Sequence, residues 1–228
     1  MLAELSPKLP PAEQHAKLLS TLRRALVSAE YYKAAEALEF ARSFHKGLRK
    51  DKVTPEFAHQ IYIALSLLTL LPSIRHKEET IIAVLLHDVV EDYNVSREEI
   101  EVKFAPLVAE AVWNLSKKRR GEIVPYAIYF AALAKDPIGS LVKGTDRGHN
   151  ILTMADADWS IEKMQEYLDD LDVWFLPMLK AARMNFPDQT SAYENIKAFL
   201  IAQRTHIQRY LDLLKESAPS NPVSLAPA

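Results

Sequence analysis

The sequence predicts an all-α fold of about ten helices, packed as one domain over residues 1–216. Three observations carry that expectation. Apolar residues recur at three- and four-residue spacing through most of the chain, the period of one helical face. Glycine is scarce, with 5 in 228 residues, and no Asn-Gly or Asp-Gly turn sits between alternating apolar runs. Helix-start signals recur: Thr54-Pro55 and Asp136-Pro137 each pair an N-cap with proline at the first helical position, and Ser96 with Glu99 fits a capping box.

In chain order the periodicity places helices at 12–29, 31–47, 55–71, 79–91, 97–104, 106–116, 125–134, 137–154, 160–185 and 190–216. The basic run Lys117-Lys118-Arg119-Arg120 before Gly121 reads as a charged helix end and turn, with Lys117 the member that faces inward. The tail SAPSNPVSLAPA, 217–228, has no periodicity and is expected to be disordered.

Bulk composition removes several classes of function. Basic and acidic side chains number 28 and 30, for a formal charge of -2, so no overall electrostatic footprint for nucleic acid is present. Cysteine is absent, which excludes disulfides, thiolate metal sites and cysteine nucleophiles. The start MLAELSPKLPPAEQ lacks the pattern of a secretory signal. The longest apolar run, 61–71, is interrupted by Tyr62, Ser66 and Thr69, so no membrane span is expected and a cytoplasmic location is the plain reading.

Chemistry concentrates in the segment ETIIAVLLHDVVED, residues 79–92. Ile81, Ile82, Val84, Leu85, Leu86, Val89 and Val90 make it apolar nearly all round, yet it contains His87, Asp88, Glu91 and Asp92. Three carboxylates in a buried helix are costly without a compensating cation. His59 alone is weak evidence, since a lone helical histidine is more often a hydrogen-bonded core residue. It gains weight by preceding the His-Asp pair on a neighbouring helix. Asp146, Asn150 and Thr153 form a polar stripe on the helix of 137–154, and His149 lies near the same face as a ligand or, more plainly, a supporting partner.

Gly139, Gly144 and Gly148 crowd into that same segment, although each glycine in a helix costs about 1 kcal/mol relative to alanine. Gly144 and Gly148 stand opposite Asp146, so another helix is expected close behind. Arg49, Lys50 and Lys52, in a polar connection before His59, are cations that could bind phosphate.

These pieces resemble the HD-domain phosphohydrolases, and within them the hydrolase half of the RelA/SpoT family of alarmone enzymes. The match is carried by Arg49-Lys50, His59, LLHDVVED at 85–92, SREEIEVKFAPLVAEAVWNLSK at 96–117 and VKGTDRGHNILTM at 142–154, and covers roughly 35–180. The resemblance implies an HD-domain bundle in which His59, His87, Asp88 and Asp146 bind one Mn²⁺ and Glu91 and Asp92 are the catalytic acidic pair. Arg49, Lys50, Asn150 and Thr153, with Lys117, would hold a guanosine nucleotide. The implied reaction removes the 3′-pyrophosphate of (p)ppGpp to leave GDP or GTP. The donor set also suits Fe²⁺, Co²⁺ or Zn²⁺.

The chain departs from the family pattern in three places. Gln60 follows His59 where proline is usual, Gly144 and Gly148 replace leucines, and the stretch after Met154 matches poorly. No segment resembles the family's synthetase domain, so a stand-alone small alarmone hydrolase is expected. ppApp, the 2′-phosphate of NADPH, or a non-catalytic nucleotide- or partner-binding role are the alternatives.

Overall fold

The computed structural model describes residues 11–157 and 159–217. The expected tail from 218 to 228 lies outside the described residues. The fold is all-α. Twelve α-helices are described: α1 (Pro11–Ser28), α2 (Tyr32–Phe44), α3 (Ala58–Leu68), α4 (Lys77–Leu86), α5 (Val89–Tyr93), α6 (Arg97–Phe104), α7 (Pro106–Leu115), α8 (Tyr126–Leu133), α9 (Gly139–Leu152), α10 (Ile161–Asp170), α11 (Leu176–Asn185) and α12 (Thr190–Ser217). Two of the ten helices expected from sequence are each divided, which accounts for the difference. Among the described residues, no helix is long and apolar enough to cross a membrane.

The first division falls at the His-Asp step. α4 ends at Leu86, and α5 begins at Val89 with Asp88 as its N-cap. The His87 ring bonds the Val84 carbonyl at 2.7 Å, a local contact that competes with the helical ladder. Asn94, at φ 55, closes α5 in the left-handed region. The second division is a π-helical turn at Leu171–Phe175, which joins α10 directly to α11.

Other expectations are corrected locally. Thr54-Pro55 does not open α3, which starts at Ala58. Asp51 instead accepts from the Val53 and Thr54 amides, and Pro55 bridges to Leu48 across the loop. Lys117–Arg120 is not a simple helix end. Lys118–Arg119 (β1) pairs with Glu122–Ile123 (β2) in a short antiparallel hairpin. Its two turn residues, Arg120 at φ 50 and Gly121 at φ 87, both have the left-handed backbone such hairpins favour, so an Arg-Gly pair here serves where Asn-Gly is usual. Asp136 accepts from the Ile138 and Gly139 amides just ahead of α9, which starts at Gly139 rather than at the expected Pro137, and Ser96 accepts from the Glu99 amide.

α9 is the central helix, packed against α3, α4, α7, α11 and α12. It is buried nearly throughout although half its side chains are polar, so each polar group needs a partner. Thr145 returns to the Leu141 carbonyl, and Ser140 bonds the Asp136 carbonyl and the Tyr193 hydroxyl. Arg147 donates to the Tyr167 carbonyl and Asp170, and its guanidinium lies 3.2 Å from the Tyr167 ring centre.

The glycine face packs as the sequence predicts. A Cβ on Gly144 would meet Ile196 of α12 at 2.8 Å and Leu179 of α11 at 3.0 Å, and one on Gly148 would meet Phe199 of α12 at 2.5 Å. α12 and α11 therefore press on the back of α9 and set how far its opposite face, with Asp146, projects toward α3 and α4.

Candidate metal centre

α3, the α4–α5 break and α9 bring their histidines and aspartates to one place. One ligand atom each from His59, His87 and Asp88 lie within 4.8 Å of one another. Asp146 Oδ1 stands 3.0 Å from His59 Nε2 and 3.9 Å from His87 Nε2. Both histidines and Asp146 are buried, while Asp88 is at the open edge.

The hydrogen bonds leave the ring nitrogens suited to a cation. His87 Nδ1 donates to the Val84 carbonyl, so the lone pair of the neutral ring falls on Nε2. That Nε2 is buried without a hydrogen-bond partner, although Asp88 Oδ2 lies 3.0 Å away out of line for one. His59 Nδ1 meets His149 Nδ1 at 2.9 Å, and its Nε2 points at Asp146. Burial, then the neighbouring His59 and Arg49, push His149 down to about 3, so it meets His59 as a neutral ring. His149 is thus a support for His59, stacked in turn on Tyr62. In the metal-free protein, burial works against a charge on His87, but Asp88 outweighs it and raises the ring to about 9.

Asp146 is held on all sides. Its Oδ2 accepts from Lys143 at 2.9 Å, and its Oδ1 accepts from Asn150 at 2.7 Å as well as facing His59. Burial opposes its charge, and Lys143 followed by His59 more than offsets this, leaving its carboxyl well below the usual range. Two imidazoles and two carboxylates fit a divalent cation of intermediate hardness. Lys143 lies one turn before Asp146 at helical spacing, a signal that could have been read from sequence and was missed.

Glu91 and Asp92 differ in environment. Glu91 Oε2 accepts from the backbone amides of Lys117 at 2.8 Å and Lys118 at 3.3 Å, so the hairpin clamps it. Asp92 is exposed, and desolvation followed by Asp88 and Glu91 pushes its carboxyl up. The Lys117 side chain turns away to the Tyr126 ring at 3.9 Å and is not among the residues lining the cavity described next. What Lys117 gives the site is its amide.

The centre forms the floor of a cavity of about 790 Å³. Arg49, Lys50, Asn150 and Thr153 line it, together with Gln14, Tyr62, Trp159 and Tyr167. Arg49 donates to Asn150 Oδ1 and Thr153 Oγ1, both at 3.3 Å, which ties the basic loop to α9. The Lys50 ammonium sits 4.4 Å from the Trp159 ring centre. Trp159 and Tyr167 come from the region after Met154 that carries no recognisable motif, and Gln14 comes from α1, before the resemblance begins.

A family profile described as an HD domain matches residues 37–123, which include His59, His87, Asp88, Glu91 and Asp92. A guanosine-3′,5′-bis(diphosphate) 3′-pyrophosphohydrolase of Aquifex aeolicus is 30% identical over 192 residues, covering 77% of this chain and 27% of that protein. The bifunctional (p)ppGpp synthase/hydrolase SpoT of Escherichia coli is 29% identical over 127 residues, covering 52% of this chain and 18% of its own length. The chain therefore spans about a quarter or less of these relatives. A solved structure described as a metazoan ortholog of SpoT that hydrolyzes ppGpp superposes with a TM-score of 0.55 at 26% identity, covering 72% of this chain and 93% of the other. The chain carries an HD domain, and over most of its length it resembles the (p)ppGpp hydrolases of the RelA/SpoT kind.

Proposed function

We propose that this chain is a divalent-metal-dependent phosphohydrolase that removes the 3′-pyrophosphate of (p)ppGpp, giving GDP or GTP. The observation that carries the reading is His87 Nε2, buried without a hydrogen-bond partner beside His59, Asp88 and Asp146, which themselves line a cavity shared with Arg49 and Lys50. The names of the relatives supply the substrate.

His59, His87, Asp88 and Asp146 would hold the ion, for which Mn²⁺ is the first choice. When bound, such an ion makes water more acidic and polarises a phosphoryl oxygen. His149 would accept the proton of His59 at Nδ1 when His59 Nε2 binds the ion. Water attacks the phosphorus attached to the ribose 3′-oxygen, that P–O bond breaks to release pyrophosphate, and the departing 3′-oxygen takes up a proton from solvent. Asp92, whose neighbours raise its affinity for a proton, takes the proton from the water. Glu91, fixed by the hairpin amides, orients the water. Arg49 and Lys50 offset phosphate charge, with Arg49 pre-positioned by Asn150 and Thr153.

The test is product identification after incubating the protein and Mn²⁺ with ppGpp, ppApp and NADPH separately. Pyrophosphate released from ppGpp, and lost with chelator or in Asp88→Ala, is expected. Preferred turnover of ppApp or of the NADPH 2′-phosphate would move the substrate assignment and keep the metal chemistry. No turnover of any of the three by metal-loaded protein would favour a non-catalytic nucleotide- or partner-binding role.

A further inference from the structure

Gln60 is buried to 1% exposure on α3, directly after His59, where the family resemblance calls for proline. Its Nε2 donates to Asp88 Oδ2 at 3.1 Å, the oxygen that faces His87 Nε2. Its Oε1 is buried with no partner. Turning the amide over would set Oε1 against a carboxylate oxygen with no proton between them, so the charge on Asp88 fixes which end faces it. An unpaired buried carbonyl oxygen opposes folding, and an apolar side chain of the same length would avoid that cost. The amide therefore needs a reason other than stability.

The two aspartates at the centre supply one. Asp146 is held by Lys143, Asn150 and His59. Asp88 sits at the break between α4 and α5 with its side chain about a third exposed. Among the described residues, Gln60 is the one side chain that makes a geometrically sound hydrogen bond to its carboxylate. Without that bond, the most exposed of the four ligands is free to rotate into the cavity.

We infer that Gln60 is a positioning residue of the metal centre, holding the Asp88 carboxylate in its ligand orientation. The inference rests on the metal-centre reading above. Partners that orient a ligand from outside typically change metal affinity by roughly 10- to 100-fold when removed.

The test is Mn²⁺ titration calorimetry on the parent, Gln60→Met and Gln60→Leu, with thermal unfolding of the metal-free proteins and the visible spectrum of the Co²⁺-loaded proteins. Both variants are expected to bind Mn²⁺ about 10- to 100-fold more weakly and to shift the Co²⁺ bands, while the metal-free unfolding temperature stays level or rises. A variant that folds and binds Mn²⁺ within twofold of the parent, with an unchanged Co²⁺ spectrum, overturns the role of Gln60 and leaves the metal centre standing. A parent that binds no Mn²⁺ overturns both. Should Gln60→Met not fold, Gln60→Leu decides, since it also removes the donor and packs with a different shape.

Discussion

Gly144→Ala sets two well-defined effects against each other. In an open helix the change stabilises by about 1 kcal/mol. Here the new methyl would stand 2.8 Å from Ile196 Cγ2 and 3.0 Å from Leu179 Cδ2. Carbon atoms pack best near roughly 3.5–4.0 Å, so both neighbours must yield by several tenths of an ångström or more. Ile196 and Leu179 are 3% and 1% exposed, which leaves neither a route outward. Overpacking of this kind costs about 1–3 kcal/mol, so after the helix gain the net loss is about 1 kcal/mol. Gly148→Ala is the control. There the contact is with Cε1 and Cδ1 of Phe199, a half-buried ring that can swing toward solvent, and the net change should lie near zero. Urea unfolding of the metal-free proteins measures both, and Mn²⁺ affinity should fall only in Gly144→Ala, as α9 is pushed toward α3. Stabilisation of Gly144→Ala by the full helix gain would show that α11 and α12 do not fix the depth of α9.

The other predictions concern the centre. Glu91→Gln should keep Mn²⁺ and lower kcat by about a hundred- to ten-thousand-fold, and loss of the metal in that variant would mean Glu91 is a ligand. Mn²⁺ affinity should rise with pH. With His87 protonated below about 9 in the metal-free protein, binding displaces one proton, and affinity should increase about tenfold per unit between pH 6 and 8. Affinity flat over that range would place the proton elsewhere. Lys143→Met leaves Asp146 buried without its ammonium and should destabilise the metal-free protein by about 3 kcal/mol, as breaking a buried pair does, with much of that recovered on adding Mn²⁺; denaturant curves with and without the ion check this. Arg49→Lys keeps the charge but loses the planar Nη2 that reaches both Asn150 and Thr153, and should raise KM about tenfold with little change in kcat.

The residues that meet at the centre were legible because each lies in a strongly periodic segment and histidine-aspartate pairs are out of place in an apolar run. The tight packing behind Asp146 was legible for a similar reason, since three glycines weaken a helix and a closely packed neighbour offsets that cost. The break at His87-Asp88 was not. Apolar periodicity runs straight through it, and what interrupts the helix is a side-chain bond from His87 to the Val84 carbonyl that no spacing rule encodes. The hairpin at 118–123 was missed because Arg-Gly is a weak turn signal, and with it the clamp on Glu91. Gln60 was visible as a departure from the family pattern, but its bond to Asp88 depends on two helices meeting. Trp159, Tyr167 and Gln14 enter the cavity from segments whose sequence carries no chemistry of its own.

A single ion held by four side chains underlies every step proposed for the centre. Equilibrium dialysis against Mn²⁺ on the parent, His87→Ala and Asp92→Asn measures that directly. One tightly bound ion per chain in the parent and in Asp92→Asn, with none retained by a folded His87→Ala, is the predicted result. An ion retained in His87→Ala, or no ion in the parent, would contradict it.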